Sequence, residues 1–161
     1  MPQPITPLEP GRMYYIWTHA NGDENLFRGD ENYTFFLDKY SHYIPPIADT
    51  FAYCLMPNHL HLMVRVKGEE DLANIKDLTG FENLSGLVSK QFSNLFNSYT
   101  KSYNKVFERR GSLFERPFKR KEIKTDSYFA TLIAYIHYNP VHHGFTERPE
   151  EWAYSSWHAY L

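Results

Sequence analysis

Two short stretches of this chain combine residue types that can do chemistry. In Met56-Pro57-Asn58-His59-Leu60-His61-Leu62-Met63-Val64, two histidines flank one leucine. Residues two apart on an extended strand share a face, so His59 and His61 point one way while Leu60, Leu62, Val64 and Val66 point the other. Imidazoles about 7 Å apart along such a strand can converge on one metal ion with bonds of roughly 2.1 Å. The spacing equally fits two solvated or hydrogen-bonded histidines on a half-exposed strand. The second stretch is Ala134-Tyr135-Ile136-His137-Tyr138-Asn139-Pro140. Tyr135 and Asn139 are four apart, about 40° around a helix, so a phenol and an amide share one side. If that side meets the histidines, Asn139 can offer its side-chain oxygen as a third ligand, with Tyr135 beside the metal as nucleophile. Tyrosine needs such help, because with a pKa near 10 only about one molecule in a thousand is phenolate at neutral pH. A divalent ion can polarise a phosphate oxygen and favour the phenolate. Tyr138 is an alternative nucleophile, but it sits about 100° from Asn139 and fits the shared side less well.

A third feature is charge. The net charge is −2, yet Lys101 to Lys124 holds nine Lys or Arg against three Glu. That segment is therefore +6 and the rest of the chain −8. A confined basic block in an otherwise acidic chain points to a polyanion-binding face rather than an all-round basic coat. Arg109, Arg110, Arg116, Lys119, Arg120 and Lys121 are interleaved with Phe114 and Phe118, a combination suited to phosphate contacts plus stacking on unpaired bases.

The elements that must position these groups follow from periodicity. At 161 residues the chain fits one domain, and 42% hydrophobic residues are ample for a packed core. Residues 1–10 contain four prolines and read as an extended arm, leaving 11–161 as the domain. No run is apolar enough to span a bilayer, and no signal-peptide pattern opens the chain. The single cysteine, Cys54, fits a reducing compartment, so the cytoplasm is the expected location. Gly11 to His19 is rich in aromatic and β-branched residues and predicts a strand. Tyr33, Phe36, Leu37, Tyr40 and Ile44 recur at helical spacing, predicting a helix from Glu31 to Ile44 stopped by Pro45-Pro46. Strands follow over 47–56 and 59–67, joined by a Pro57-Asn58 turn. Residues 68–80 are polar and predict a loop with at most a short helical turn. Ser85 is a plausible cap for a long helix carrying Leu87, Val88, Phe92, Leu95, Phe96, Tyr99 and Tyr103. Leu113 to Ile123 predicts a strand interrupted by Pro117. Asp126 can cap a last helix ending near Asn139-Pro140. The order β-α-β-β-α-β plus a helix predicts an α+β, ferredoxin-like antiparallel sheet, with the added C-terminal helix approaching the face that holds His59 and His61.

Four ordered motifs carry a resemblance. Leu55 to Val64, Gly111 to Lys119, Tyr135-Ile136-His137-Tyr138-Asn139-Pro140-Val141 and Trp152-Ala153-Tyr154-Ser155-Ser156 resemble the REP-associated tyrosine transposases, which are small single-tyrosine members of the HUH superfamily. The resemblance covers nearly the whole chain after the arm. It implies a ferredoxin-like nuclease that cuts and rejoins single-stranded or hairpin DNA through a 5′-phosphotyrosine. By the same resemblance His59 and His61 match the metal pair, Asn139 the further ligand and Tyr135 the nucleophile. The chain departs from the pattern after Asn-Pro-Val, where relatives commonly have a basic and a small residue and this chain has His142-His143. Two imidazoles, an amide oxygen and waters suit magnesium or manganese, imidazole favouring manganese. Two other readings stay open: a nucleic-acid-binding module without catalysis, and a metal-dependent phosphoesterase that uses water. Monomer and homodimer are both open as well.

Overall fold

The computed structural model describes residues 4–79 and 83–160. Four strands, β1 (Met13–His19), β2 (Ala48–Met56), β3 (His59–Val66) and β4 (Lys119–Ile123), form one sheet in the order β2-β3-β1-β4. Every neighbouring pair is antiparallel. The helices are α1 (Asp30–Tyr43), α2 (Glu69–Thr79), α3 (Leu84–Val106) and α4 (Asp126–His142), followed by short 3-10 turns at Pro149–Glu151 and Trp157–Tyr160. This is the α+β, ferredoxin-like arrangement expected from the sequence.

Strand alternation divides the molecule into two layers of packing. Leu60, Leu62, Val64 and Val66 of β3 face Tyr33 and Phe36 of α1 and Val88, Phe92, Leu95 and Tyr99 of α3, forming the main core. Each fully buried side chain of this size contributes about 1.5–3 kcal/mol by leaving water. Leu8 is also buried there, so the chain joins the packed body before β1 begins. On the other face Tyr15, Cys54, Met56 and Met63 pack with Leu132 and Ile136 of α4. Helix α4 lies mainly over β2 and β3 and also covers Tyr15 of β1 and Ile123 of β4.

Local chemistry explains where the elements differ from expectation. Residues 69–79 form helix α2 rather than a loop; residue 80 lies outside the described residues. Glu69, Glu70 and Asp71 sit in its first turn, where they complement the helix dipole, and Leu72 is fully buried. Asn83, not Ser85, caps α3, its Oδ1 accepting from the Gly86 backbone N–H at 2.6 Å. Thr125 caps α4 by accepting from Tyr128 N–H at 3.1 Å. That helix runs through Pro140 to His142 because the proline falls in its last turn, where only one internal bond is lost.

Candidate active site and nucleic-acid interface

The turn that launches β3 is held from outside. The Pro57 carbonyl accepts from Leu26 and Phe27 at 2.7 and 3.1 Å, and the Asn58 carbonyl from Ala20 at 2.9 Å. This fixes the first residue of the strand, His59. Register then places His59 opposite His19 of β1, and His61 opposite Trp17. The His19 and His59 rings lie nearly parallel with centroids 5.8 Å apart, and the His59 and His61 rings are 5.0 Å apart.

Helix α4 brings its polar side to the same spot. Asn139 is fully buried, and its Oδ1 lies 3.0 Å from His59 Nε2. Tyr135 is 44% exposed, so its hydroxyl can meet a ligand from solvent, and its ring stands edge-on to His61 at 5.7 Å. Tyr138 points elsewhere, edge-on to Trp157 at 6.0 Å. His143, one turn after Asn139, places its ring 4.8 Å from His59. The result is an open cleft of about 220 Å³ lined by His19, Asn58, His59, His61, Tyr135 and His143.

Burial, the largest influence, lowers the His59 pKa to about 4; the Asn139 amide opposes the shift, and His143 and His19 add to it. Burial, followed by the neighbouring His59 and His143, lowers His61 to about 3. Both rings are therefore neutral at pH 7, the form that binds metals. His59 Nδ1 lies 2.8 Å from Asn58 Oδ1. Nε2 likewise faces an amide oxygen, Asn139 Oδ1, and the neutral ring has one proton for the two, so the tautomer that donates to Asn58 leaves a lone pair on Nε2 beside Asn139 Oδ1. Two lone-pair atoms 3.0 Å apart match neighbouring ligands of an octahedral ion with bonds of about 2.1 Å. His61 Nε2 is buried without any hydrogen-bond partner. Among the described residues no group of three His, Cys, Asp or Glu could hold a metal. The set at this cleft is instead two imidazoles and an amide, and it fits a hard divalent ion that keeps several waters.

The basic segment is divided by strand alternation. Lys119 and Lys121 pair with Trp17 and Tyr15, so they share the face of the histidines. Arg120 points to the opposite face, stacked on Phe118 at 3.9 Å and donating to Ser89 Oγ at 2.7 Å. With Arg116 it lines a cavity of about 390 Å³ between α3 and the 114–120 segment, together with Phe96, Phe114 and Phe118. Arg109 is tied into the protein by Glu24 at 3.1 Å and by Asn104 and the Ser112 carbonyl. Arg110 is exposed. A groove containing Trp17, His19, Glu115, Pro117 and Lys119 joins the two regions, sharing His19 with the histidine cleft and Glu115 and Pro117 with the α3 cavity.

Comparison with known proteins bears out the resemblance carried by the motifs. A solved structure of a REP-associated tyrosine transposase bound to a REP hairpin superposes with a TM-score of 0.69 at 14% identity, covering 99% of this chain and 84% of that one. The chain has the REP-associated tyrosine transposase fold. A curated protein of Haemophilus influenzae named "Putative REP-associated tyrosine transposase" is 30% identical over 112 residues, 68% of this chain. The match takes in 59% of that relative's length. No protein-family model matches the chain. Within this transposase fold, the cleft also gathers His19 and His143, with Tyr15 bonded behind His61, and motif reading gave none of the three a place in the site. Tyr15 and His19 were accessible through the period-two alternation of β1, and His143 through its spacing of four from Asn139. What no spacing supplies is the register that sets β1 beside β3.

Proposed function

We propose that this chain is a DNA strand-cleaving and strand-joining enzyme of the REP-associated tyrosine transposase type, acting on single-stranded or hairpin DNA in the cytoplasm. The observation that carries this reading is the approach of an exposed Tyr135 to His61 beside the His59–Asn139 pair. His59, His61 and Asn139 would hold magnesium or manganese, which when bound polarises the phosphate and lowers the cost of the phenolate. Tyr135 Oη attacks phosphorus, an O–P bond forms, and the bond from phosphorus to the 3′-oxygen breaks. The phenol's proton leaves to solvent and the 3′-oxygen takes one up, giving a 5′-phosphotyrosine and a free 3′-hydroxyl. Reversal by a 3′-hydroxyl rejoins the strand without an external energy source. Lys119 and Lys121 on the cleft face, with Arg110, Arg116 and Arg120 beyond the connecting groove, supply phosphate contacts, while Trp17 offers a stacking surface; Phe114 and Phe118, expected from the sequence to stack on bases, are buried in the core instead. Arg109, with its guanidinium bound to Glu24, serves by holding the turn that precedes this surface.

Incubation with a labelled, hairpin-bearing single strand and Mn²⁺ tests this reading. The expected result is a denaturant-stable protein–DNA adduct that Tyr135→Phe abolishes and Tyr138→Phe retains. Cleavage that survives Tyr135→Phe would move the assignment to a phosphoesterase using water. Binding without cleavage would leave a recognition module.

A further inference from the structure

One buried side chain at the cleft has a polar contact that the cleavage chemistry above does not use. Tyr15 is 9% exposed, and its hydroxyl oxygen lies 2.5 Å from His61 Nδ1. Its ring stacks on Trp17 with centroids 4.5 Å apart, and the His61 ring lies nearly parallel at 5.7 Å. The β1–β3 register and the packing of Tyr15 with Ile136 and Leu132 leave that ring little room to move. A phenol with its ordinary pKa near 10 is neutral at pH 7 and is both donor and acceptor.

The direction of the bond decides what the other nitrogen of His61 can do. If Tyr15 donated to Nδ1, Nε2 would carry the ring proton with no acceptor at hydrogen-bond geometry, the Asn139 amide beside it being set against His59 instead. Orphaned buried N–H groups are rarer and costlier than underused acceptors. We infer that Tyr15 is a positioning residue, accepting from the Nδ1–H of His61 and so holding the Nε2 lone pair of that ring aimed into the cleft. This is the arrangement in which a second residue orients a metal-binding imidazole, with a neutral phenol in the place more often taken by a carboxylate. A phenol leaves the site's charge unchanged while it fixes tautomer and ring angle. The inference rests on the reading of His61 as a metal ligand, but its first test does not require metal.

Long-range ¹⁵N–¹H NMR of the histidine rings in the full chain reads the tautomer directly. The expected spectrum shows His61 protonated at Nδ1; protonation at Nε2 overturns the inference, whether or not any variant folds. Tyr15→Phe keeps the ring stack and removes only the hydroxyl. It should leave the circular dichroism spectrum intact, lose the single His61 tautomer and weaken Mn²⁺ binding, measured by electron paramagnetic resonance, by about 10–100-fold. A folded Tyr15→Phe protein with wild-type Mn²⁺ affinity also overturns it. If the wild-type chain takes up no Mn²⁺ while His61 is protonated at Nδ1 and loses that preference in Tyr15→Phe, the ligand reading fails and the positioning role stands.

Discussion

The two faces of the sheet are built to opposite rules. Under α1 and α3, three of the buried tyrosines find backbone partners: Tyr99 donates to the Leu26 carbonyl, Tyr103 to the Asn25 carbonyl at 2.6 Å, and Tyr14 accepts from Glu9 N–H at 2.8 Å. Under α4, polar groups are buried with their capacity unspent. His61 Nε2 and Asn139 Nδ2 are two of the three buried side-chain nitrogen or oxygen atoms without a partner among the described residues; the third is Arg120 Nε, in the basic segment. The first face is a core whose polar groups are mostly used up in folding; its one buried orphan among the described residues is Arg120 Nε, at the β4 edge where Arg120 reaches Ser89 of α3. The second carries unsatisfied groups, a departure from local consistency that marks functional sites.

That contrast predicts that stability and chemistry separate by face. The largest effect belongs to His59→Ala, which should reduce metal-dependent cleavage by at least about 100-fold, because it removes a direct ligand rather than one of the outer partners worth 10–100-fold. Its thermal midpoint should move little, since the ring it deletes is half-buried and ends among acceptors. Cleavage at wild-type rate would break the comparison. Phe92→Ala reverses the pattern: loss of a fully buried ring from the closed face should cost about 3–5 kcal/mol in urea unfolding, while Mn²⁺ affinity of the folded fraction stays unchanged. A change in affinity would mean that the faces are coupled.

A smaller effect comes from pH. His59 and His61 titrate at about 4 and 3 in the folded chain against 6.5 unfolded, so between those limits the unfolded chain takes up protons that the native rings refuse. Their contribution to stability is whole above pH 6.5 and drains away as pH falls towards 4. Urea midpoints measured from pH 7 to pH 4 should fall, and should fall less steeply in His59→Gln; equal slopes would show that these rings are not what the acid limb reports.

Much of this was legible in the sequence, and the parts that were not share a cause. Period-two alternation separated the histidines from Leu60 and Leu62, and a spacing of four paired Tyr135 with Asn139, because both patterns are local. Helix α2 was hidden because its composition is polar and its large apolar positions are only Leu72, Ile75 and Leu78, and its support comes from packing on α3. The extension of α4 through Pro140 was missed because a proline in a helix's last turn costs only one internal bond and need not end it. The role of Tyr15 needed the pairing of β1 with β3, which brings together residues 46 apart in sequence. The basic segment was read as one surface because its charge was summed; its strand alternation, also local, divides it in two.

That division has a mechanical consequence. Lys119 and Lys121 lie on one side of the β4 edge and Arg116 and Arg120 towards the other, with the groove through Trp17 and Lys119 between them. Any polyanion that touches both sets must turn around an edge one strand thick. Duplex DNA, with a persistence length near 150 base pairs, is too stiff to make that turn. On the proposed reading, an unpaired strand is therefore the partner expected to reach both sets of cations at once.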